Sequence, residues 1–255
     1  MDDVSAWMMA NRLQLNLAKT EVLWCSSARR QFQIPIGPIR VGNTSVLPAS
    51  AARDLGVYTD ADVTMRAHVT ATVRACFAAL RQIRRVRRSL SLLTLVRALM
   101  VSKVDYCCSV LAGISGTLLQ RLQSVMNAAA RLVFSARRSE HTTPLLRELP
   151  WLQVPERIQF RLCVLVYRCL KGTALPYLAD TLRQSIDVDA RRRLRSAETS
   201  TLIVPSTRRV TLGDRAFPVA AARSWNGLPS SIRAASSLQL FCRELHEDSA
   251  VFIVI

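Results

Sequence analysis

Thr117-Leu118-Leu119-Gln120-Arg121-Leu122-Gln123-Ser124-Val125-Met126-Asn127-Ala128-Ala129-Ala130-Arg131-Leu132-Val133-Phe134 is the stretch that decides the fold class. Leu118, Leu122, Val125, Ala129 and Leu132 recur every three or four residues, the spacing of one helical stripe. The stretch therefore predicts a helix over 117–134 that buries this stripe. Upstream, Val69, Val73, Cys76, Phe77, Leu80 and Ile83 predict an amphipathic helix from Met65 to about Arg88. Leu92–Leu111 predicts another. Ile158, Leu162, Leu165, Val166 and Leu170 predict a fourth over Pro155–Leu170, with Pro144 and Pro150-Trp151 marking the connection before it. Residues 61–180 read as a compact helical bundle.

The flanks have a different character. Residues 4–15 predict a short helix with Val4, Trp7, Met8 and Leu15 partly on one face, stopped by Asn16. Thr20–Cys25 predicts a strand, and Phe32–Val41 predicts short strands or a hairpin around Gly37-Pro38. Asp54–Thr59 predicts a further strand in which Gly56 allows close backbone approach. These elements form a small α+β piece, part of a sheet whose other strands are missing. After Leu182 the pattern weakens. Arg191-Arg192-Arg193-Leu194-Arg195 lies in a polar linker, a short strand is expected at Leu202–Val204, and Phe217–Trp225 predicts a helix ended by Asn226-Gly227-Leu228-Pro229. Ser237–Glu247 predicts a terminal helix, and Val251–Ile255 is apolar. The expected class is α+β, mostly α.

Half of the 255 residues are hydrophobic, enough for a real core. The net charge is +17, and 32 of the 35 basic residues are arginine. Arginine offers a planar fork that suits phosphate. A GC-rich coding sequence also favours arginine over lysine, but does not produce net charge. The excess is concentrated: residues 61–180 carry 18 basic and 6 acidic residues, whereas residues 1–60 carry 6 and 5. The middle block is the candidate polyanion-binding surface. The seven cysteines form no C-x-x-C pair, and no signal peptide opens the chain, so an intracellular compartment, nuclear or cytoplasmic, is expected in place of secretion. No apolar stretch approaches a membrane span.

Several segments, taken in order, carry a resemblance. Leu122-Gln123 through Arg131-Leu132 resembles the "LQ-x-x-x-NAAARL" segment that follows the palm in reverse transcriptases of non-LTR (LINE-type, CR1/jockey-like) retrotransposons. Asn16-Leu17-Ala18-Lys19-Thr20-Glu21 with its preceding Trp7-Met8 resembles their "LN-x-x-KTE" palm segment. Asp54-Leu55-Gly56-Val57 resembles the primer-grip strand, and His68 through Leu80-Arg81-Gln82-Ile83 the first thumb helix. Asp105-Tyr106-Cys107 resembles "LDYCN", with Cys108 in place of Asn and Val104 in place of Leu. Pro150-Trp151-Leu152 resembles "LHWLPV", with Pro150 in place of His. Phe217-Pro218-Val219-Ala220-Ala221 and Trp225-Asn226-Gly227-Leu228-Pro229 resemble the terminal "F-x-VAAP-x-x-WN-x-LP" segment.

The resemblance implies a partial palm remnant over 1–60, a helical thumb-like bundle over 61–180, and a basic linker with a C-terminal tail segment over 181–255. It implies an RNA-directed DNA polymerase that uses Mg²⁺ in the intact enzyme. The family's aromatic-Ala-Asp-Asp turn lies upstream of the "LN-x-x-KTE" segment, so a truncated chain without its catalytic residues is expected, with the N-terminal polymerase portion as a missing partner. No catalytic, cofactor or metal residue is assigned to this chain. Asp2-Asp3 lacks the preceding aromatic-Ala and reads as acidic residues at a helix start, favourable to the dipole. Lys19 reads either as a phosphate contact or as a solvent-facing lysine. His68, His141 and His246 have no second ligand at metal spacing. Neither G-x-S-x-G, G-x-G-x-x-G nor a P-loop occurs.

The best functional candidates are Arg74, Arg81, Arg85 and Arg88. At 100° per residue they form one longitudinal stripe opposite the apolar face. No acidic residue lies between Arg66 and Arg97 to pair with them. Such a line can follow a sugar-phosphate backbone without reading bases, and the expected partner is RNA or an RNA–DNA hybrid. The bland alternative is a solvated basic face. Arg191–Arg195 reads as an RNA-contacting or nuclear-localisation patch or as a flexible linker. A helical protein-interaction module, docking through Val251–Ile255, and a non-functional retrotransposon relic are the competing readings of the whole chain. The purified chain is expected to extend no primer on an RNA template with Mg²⁺ or Mn²⁺. Template-dependent extension abolished by Asp2→Ala or Asp3→Ala would contradict this.

Overall fold

The computed structural model describes residues 2–14, 16, 19–41, 44–86, 91–185, 200–208 and 210–247. It is a mostly helical α+β protein with small two-stranded sheets. The chain divides into two compact units, residues 1–71 and 72–255. Leu15, Arg88, Arg191–Arg195 and Val251–Ile255 lie outside the described residues.

In the first unit, α1 spans Asp2–Ala10 and ends earlier than expected. Asn11, not Asn16, closes it: the Asn11 Nδ2 donates to the Trp7 carbonyl at 2.8 Å, and Arg12 turns left-handed at φ 57°. The strand expected at Thr20–Cys25 is the two-residue β1, Val22–Leu23, parallel to β4, Pro48–Ala49. Ala28–Gln33 winds as a 3₁₀ helix, so Phe32 is helical and not in a strand. The hairpin lies beyond Gly37-Pro38: β2, Ile39–Val41, pairs antiparallel with β3, Thr44–Val46.

Asp54–Thr59 is not one strand. β5, Ala51–Asp54, and β6, Val57–Asp60, form a hairpin with Asp54 opposite Val57. Both central residues have positive φ, Leu55 at 44° and Gly56 at 87°, the geometry of a tight turn matched to strand twist. Gly56 therefore serves the turn and not a close backbone approach. Across this hairpin the Arg53 guanidinium lies 5.4 Å from the Tyr58 ring centroid. Among the described residues of this unit only Val41, Asp60, Met65, His68 and Val69 are buried, while Trp7, Phe32 and Ile36 are exposed.

The second unit is helical. α2 spans Arg66–Val86; it begins in the first unit and belongs to the second from Thr72. The next helix is less regular than its composition suggests. α3, Leu92–Val96, passes into a π-wound turn, Arg97–Val101, and then into α4, Ser102–Asp105. It stops at Asp105 instead of reaching Leu111, because Tyr106 is extended and Cys107 is left-handed at φ 51°. Cys108–Leu111 is a separate 3₁₀ helix. α5 spans Gly116–Phe134 with Leu118, Leu122, Val125, Met126, Ala129, Ala130 and Leu132 buried. Ala129 and Ala130 are fully buried, and their small side chains permit close helix packing. The stretch around Pro144, expected as a connection, contains α6, Thr142–Glu148. Pro144 sits in its first turn, where a missing N–H costs nothing.

α7, Val154–Leu170, is the central helix. Its start is fixed twice: the Gln153 N–H donates to the Glu156 carboxylate at 2.6 Å, and the Val154 N–H donates to the Gln123 side chain at 2.9 Å. Gln123 in turn donates to Asn127 at 3.0 Å, so both polar residues of the "LQ-x-x-x-N" segment position α7. The opposite side of α7 packs on α8, Phe217–Asn226, and α9, Leu238–Glu247. Cys163, Val166, Tyr167, Trp225, Phe241 and Leu245 form one core, with the Tyr167 and Phe241 rings stacked at 4.7 Å. The Trp225 indole donates to the Ser200 carbonyl at 2.8 Å and the Tyr167 hydroxyl to the Ala235 carbonyl at 3.1 Å.

The strand expected at Leu202–Val204 is a single antiparallel bridge, Leu202 to Gln184. Leu202 is held instead by Asn226, whose Oδ1 accepts the Leu202 N–H at 2.8 Å and whose Nδ2 donates to its carbonyl at 2.7 Å. No helix among the described residues is long and apolar enough to cross a membrane. Removing both Asn226 bonds leaves a buried N–H and C=O without partners, each worth about 1–3 kcal/mol. Asn226→Ala is therefore expected to cost about 2–4 kcal/mol in urea unfolding, and Asn226→Asp, which keeps the acceptor, less. Equal stability of Asn226→Ala and the parent chain would contradict this role.

Candidate nucleic-acid interface

The arginine-bearing helix is set by its own start. The Asp60 carboxylate accepts the Arg66 N–H at 2.6 Å and the Ala67 N–H at 3.1 Å, and also the Thr64 hydroxyl at 3.0 Å. A negative group there satisfies two unpaired helix donors and complements the dipole. Asp62 Oδ1 accepts the Thr64 N–H and hydroxyl, which fixes the preceding turn. From this start the 3.6-residue period places Cys76, Ala79, Leu80 and Ile83 inside and the arginines outside. The Cys76 thiol points inward, donating to the Met100 carbonyl at 3.9 Å.

Arg74, Arg81 and Arg85 are all exposed, as the stripe requires, and Arg88 lies outside the described residues. Between Arg74 and Arg85 the stripe runs about 16 Å along the axis. Among the described residues no carboxylate forms an ion pair with these three; Asp105 pairs with Arg157 and Arg161, and Asp214 with Arg223. Arg84 is also exposed and was not picked out by the stripe. It lies roughly 80° around the axis from Arg74 and widens the basic face. Periodicity does not mark it, because Arg84 lies seven residues after the apolar Phe77 and so on nearly the same side of the helix; its exposure is a finding of the structure.

The remaining candidates are dispersed. Lys19 is exposed, and its N–H donates to the Asn16 carbonyl at 3.0 Å. Asp2 and Asp3 are the first residues of α1. Among the described residues no group of three or more His, Cys, Asp or Glu side chains could hold a metal ion. His141 is exposed, and the His246 ring lies 3.1 Å from the Pro150 carbonyl. Asp105 and Pro150-Trp151, singled out by motif, are structural: Asp105 pairs with Arg157 at 2.7 Å and Trp151 is buried.

The buried thiols Cys76, Cys108 and Cys163 are held in the protonated, unreactive form. All seven are free, and burial pushes Cys76 and Cys108 up to about 11, with Cys163 shifted upward further. Comparison of the chain with protein-family models, curated proteins and solved structures finds no match.

His68 is buried, and its Nδ1 faces the Tyr58 N–H at 3.4 Å. Burial lowers its pKa below the usual value, against the opposing pull of Asp60. The folded state therefore favours the neutral ring, and the unfolded chain binds the proton more readily. This contribution to stability is present above about pH 6.5 and is lost as pH falls from there toward the lowered value. Protection of the Tyr58 amide from hydrogen exchange is expected to fall between pH 7 and pH 5, and His68→Phe to remove that dependence. A His68 ring titrating above 6.5 by NMR would contradict it.

Proposed function

We propose that this chain carries the end of the palm, the thumb and the tail of a LINE-type reverse transcriptase, and that α2 seats RNA or an RNA–DNA hybrid by its phosphates. The observation that carries the binding reading is the exposed line of Arg74, Arg81 and Arg85 on a helix without an acidic residue. Unneutralised arginines at an exposed face attract a polyanion over about 8 Å at physiological ionic strength. The order of the quoted segments supports the family reading. The exposed Trp7, Phe32 and Ile36 of the first unit suit surfaces that the rest of a polymerase would cover. Seven free thiols suit a reducing interior, nuclear or cytoplasmic.

Among the described residues the carboxylates form no cluster that fits the Mg²⁺ of the intact family enzyme. Asp3 is exposed on α1, Asp60 holds the start of α2, and Asp105 and Asp214 are paired with arginines. No chemical step is assigned to this chain, which acts by positioning a strand.

Changing any two of Arg74, Arg81, Arg85 and Arg88 to glutamine is expected to weaken binding to all sequences alike. The slope of log K against log salt should fall by roughly 1 to 2, as fewer counterions are released. Stability should change by less than about 0.5 kcal/mol per site at Arg74, Arg81 and Arg85, because those three side chains are exposed. An unchanged salt slope would reduce the stripe to a solvated face. Binding that ignores salt altogether would favour an apolar protein-interaction module.

A further inference from the structure

The second unit also contains an open cleft of about 840 Å³ between the Arg97–Asp105 segment and one face of α7. Four arginines line it, Arg97, Arg157, Arg161 and Arg168, against a single carboxylate, Asp105. They are not equivalent. The Arg157 side chain is 12 % exposed, pairs with Asp105 at 2.7 Å, and donates from Nε to the Leu152 carbonyl at 2.9 Å. It is a strut between α4 and α7. Arg161 is 49 % exposed and lies 3.6 Å from Asp105, a longer contact with an oxygen of a carboxylate already engaged. Arg97 and Arg168 are exposed. Three guanidinium groups thus face the cleft beyond what Asp105 balances.

The π-wound turn is part of this construction. It carries Arg97 and Val101 on the wall opposite α7, and π turns inside helices recur at functional sites. Arg161 and Arg168 are seven residues apart on one face of α7, about 10 Å along its axis. That is the rise of roughly three stacked nucleotides of a single strand. At the rim stands Tyr106, half-exposed, and the floor includes the buried Trp151 with Val164 and Leu165. Such a lining suits a ligand that combines repeated anionic groups with flat apolar ones. A cavity of this size takes small ligands, so a run of about two to three nucleotides enters it and a duplex does not.

We propose that this cleft binds a short run of single-stranded nucleic acid, with phosphates on Arg97, Arg161 and Arg168 and a base stacked on Tyr106. Phosphate contact supplies attraction at any sequence, and aromatic stacking tolerates any base. The proposal goes beyond the α2 stripe and does not depend on it, because it draws on different residues and a different form of the ligand.

The test compares the full chain with the Arg161→Gln/Arg168→Gln double variant, using a ten-nucleotide single-stranded oligouridylate and an RNA–DNA hybrid of equal length as probes. Affinity for the single strand should fall tenfold or more, and affinity for the hybrid less than threefold. Tyr106→Ala should weaken single-strand binding about fivefold or more, and Tyr106→Phe should restore it, since stacking needs the ring and not the hydroxyl. Inorganic tripolyphosphate should displace the oligouridylate only at far higher concentration. Unchanged single-strand affinity in the double variant, or equal losses for both probes, overturns the proposal. Displacement by tripolyphosphate at matching concentration overturns the base contact. The Arg74→Gln/Arg81→Gln variant should weaken hybrid binding, and adding Arg161→Gln/Arg168→Gln to it should still cost the single strand tenfold or more, which separates failure of this cleft from failure of the α2 reading.

Discussion

The stacking of Tyr167 on Phe241, with Trp225 against the same ring at 5.8 Å, is the contact on which the second unit depends. Each ring belongs to a different helix, α7, α9 and α8, so one cluster fixes three elements. Truncating a buried aromatic of this kind costs about 3–5 kcal/mol, a large share of a domain's net stability. The polar edges of the same rings extend the hold: Trp225 binds the Ser200 carbonyl and Tyr167 the Ala235 carbonyl. Asn226, next to Trp225, binds Leu202 at both backbone groups. The Trp-Asn pair is therefore a packing and pinning device. Once α7 is fixed on this side, its other side presents Arg157 to Asp105 and its first turn to Gln123.

The charge distribution follows from how few carboxylates there are and where they are engaged. Asp60 closes the start of α2, Asp105 holds Arg157, Asp214 accepts from Thr207 and pairs with Arg223, and Glu156 closes the start of α7. Arg223 and Thr207 together lower the Asp214 carboxyl below its usual range. Each acid stabilises a local element, and none of these reaches the exposed side of α2. With 35 basic and 18 acidic residues, the structural use of the acids leaves arginines in excess at the surface. Net charge of this kind bears on association and not on fold.

Much of the helical architecture is legible in the sequence because apolar spacing reports a helix whatever its partners. The ends of α5 and α7 fall within a residue of the positions that the periodicity gives. Features set by single backbone conformations are not legible. Nothing in the composition announces that Leu55 adopts a left-handed turn, that Cys107 does so after α4, or that the helix widens at Arg97–Val101. Residues 1–60 were hardest, because strands of two to four residues give no usable alternation. For the interface, the exposure of Arg74, Arg81 and Arg85 is readable because they oppose an apolar stripe on one helix. The cleft is not readable, since Arg97 and Arg161 are brought together only by the packing of α7.

The proposed binding role stands or falls on phosphate contact at the exposed side of α2. Arginine-selective modification with phenylglyoxal, read by mass spectrometry with and without an RNA–DNA hybrid, tests it directly. The account predicts protection of Arg74, Arg81 and Arg85 on adding the hybrid, fading as salt is raised, with Arg53 and Arg223 unchanged. Protection confined to other arginines, with these three modified equally in both states, would contradict it.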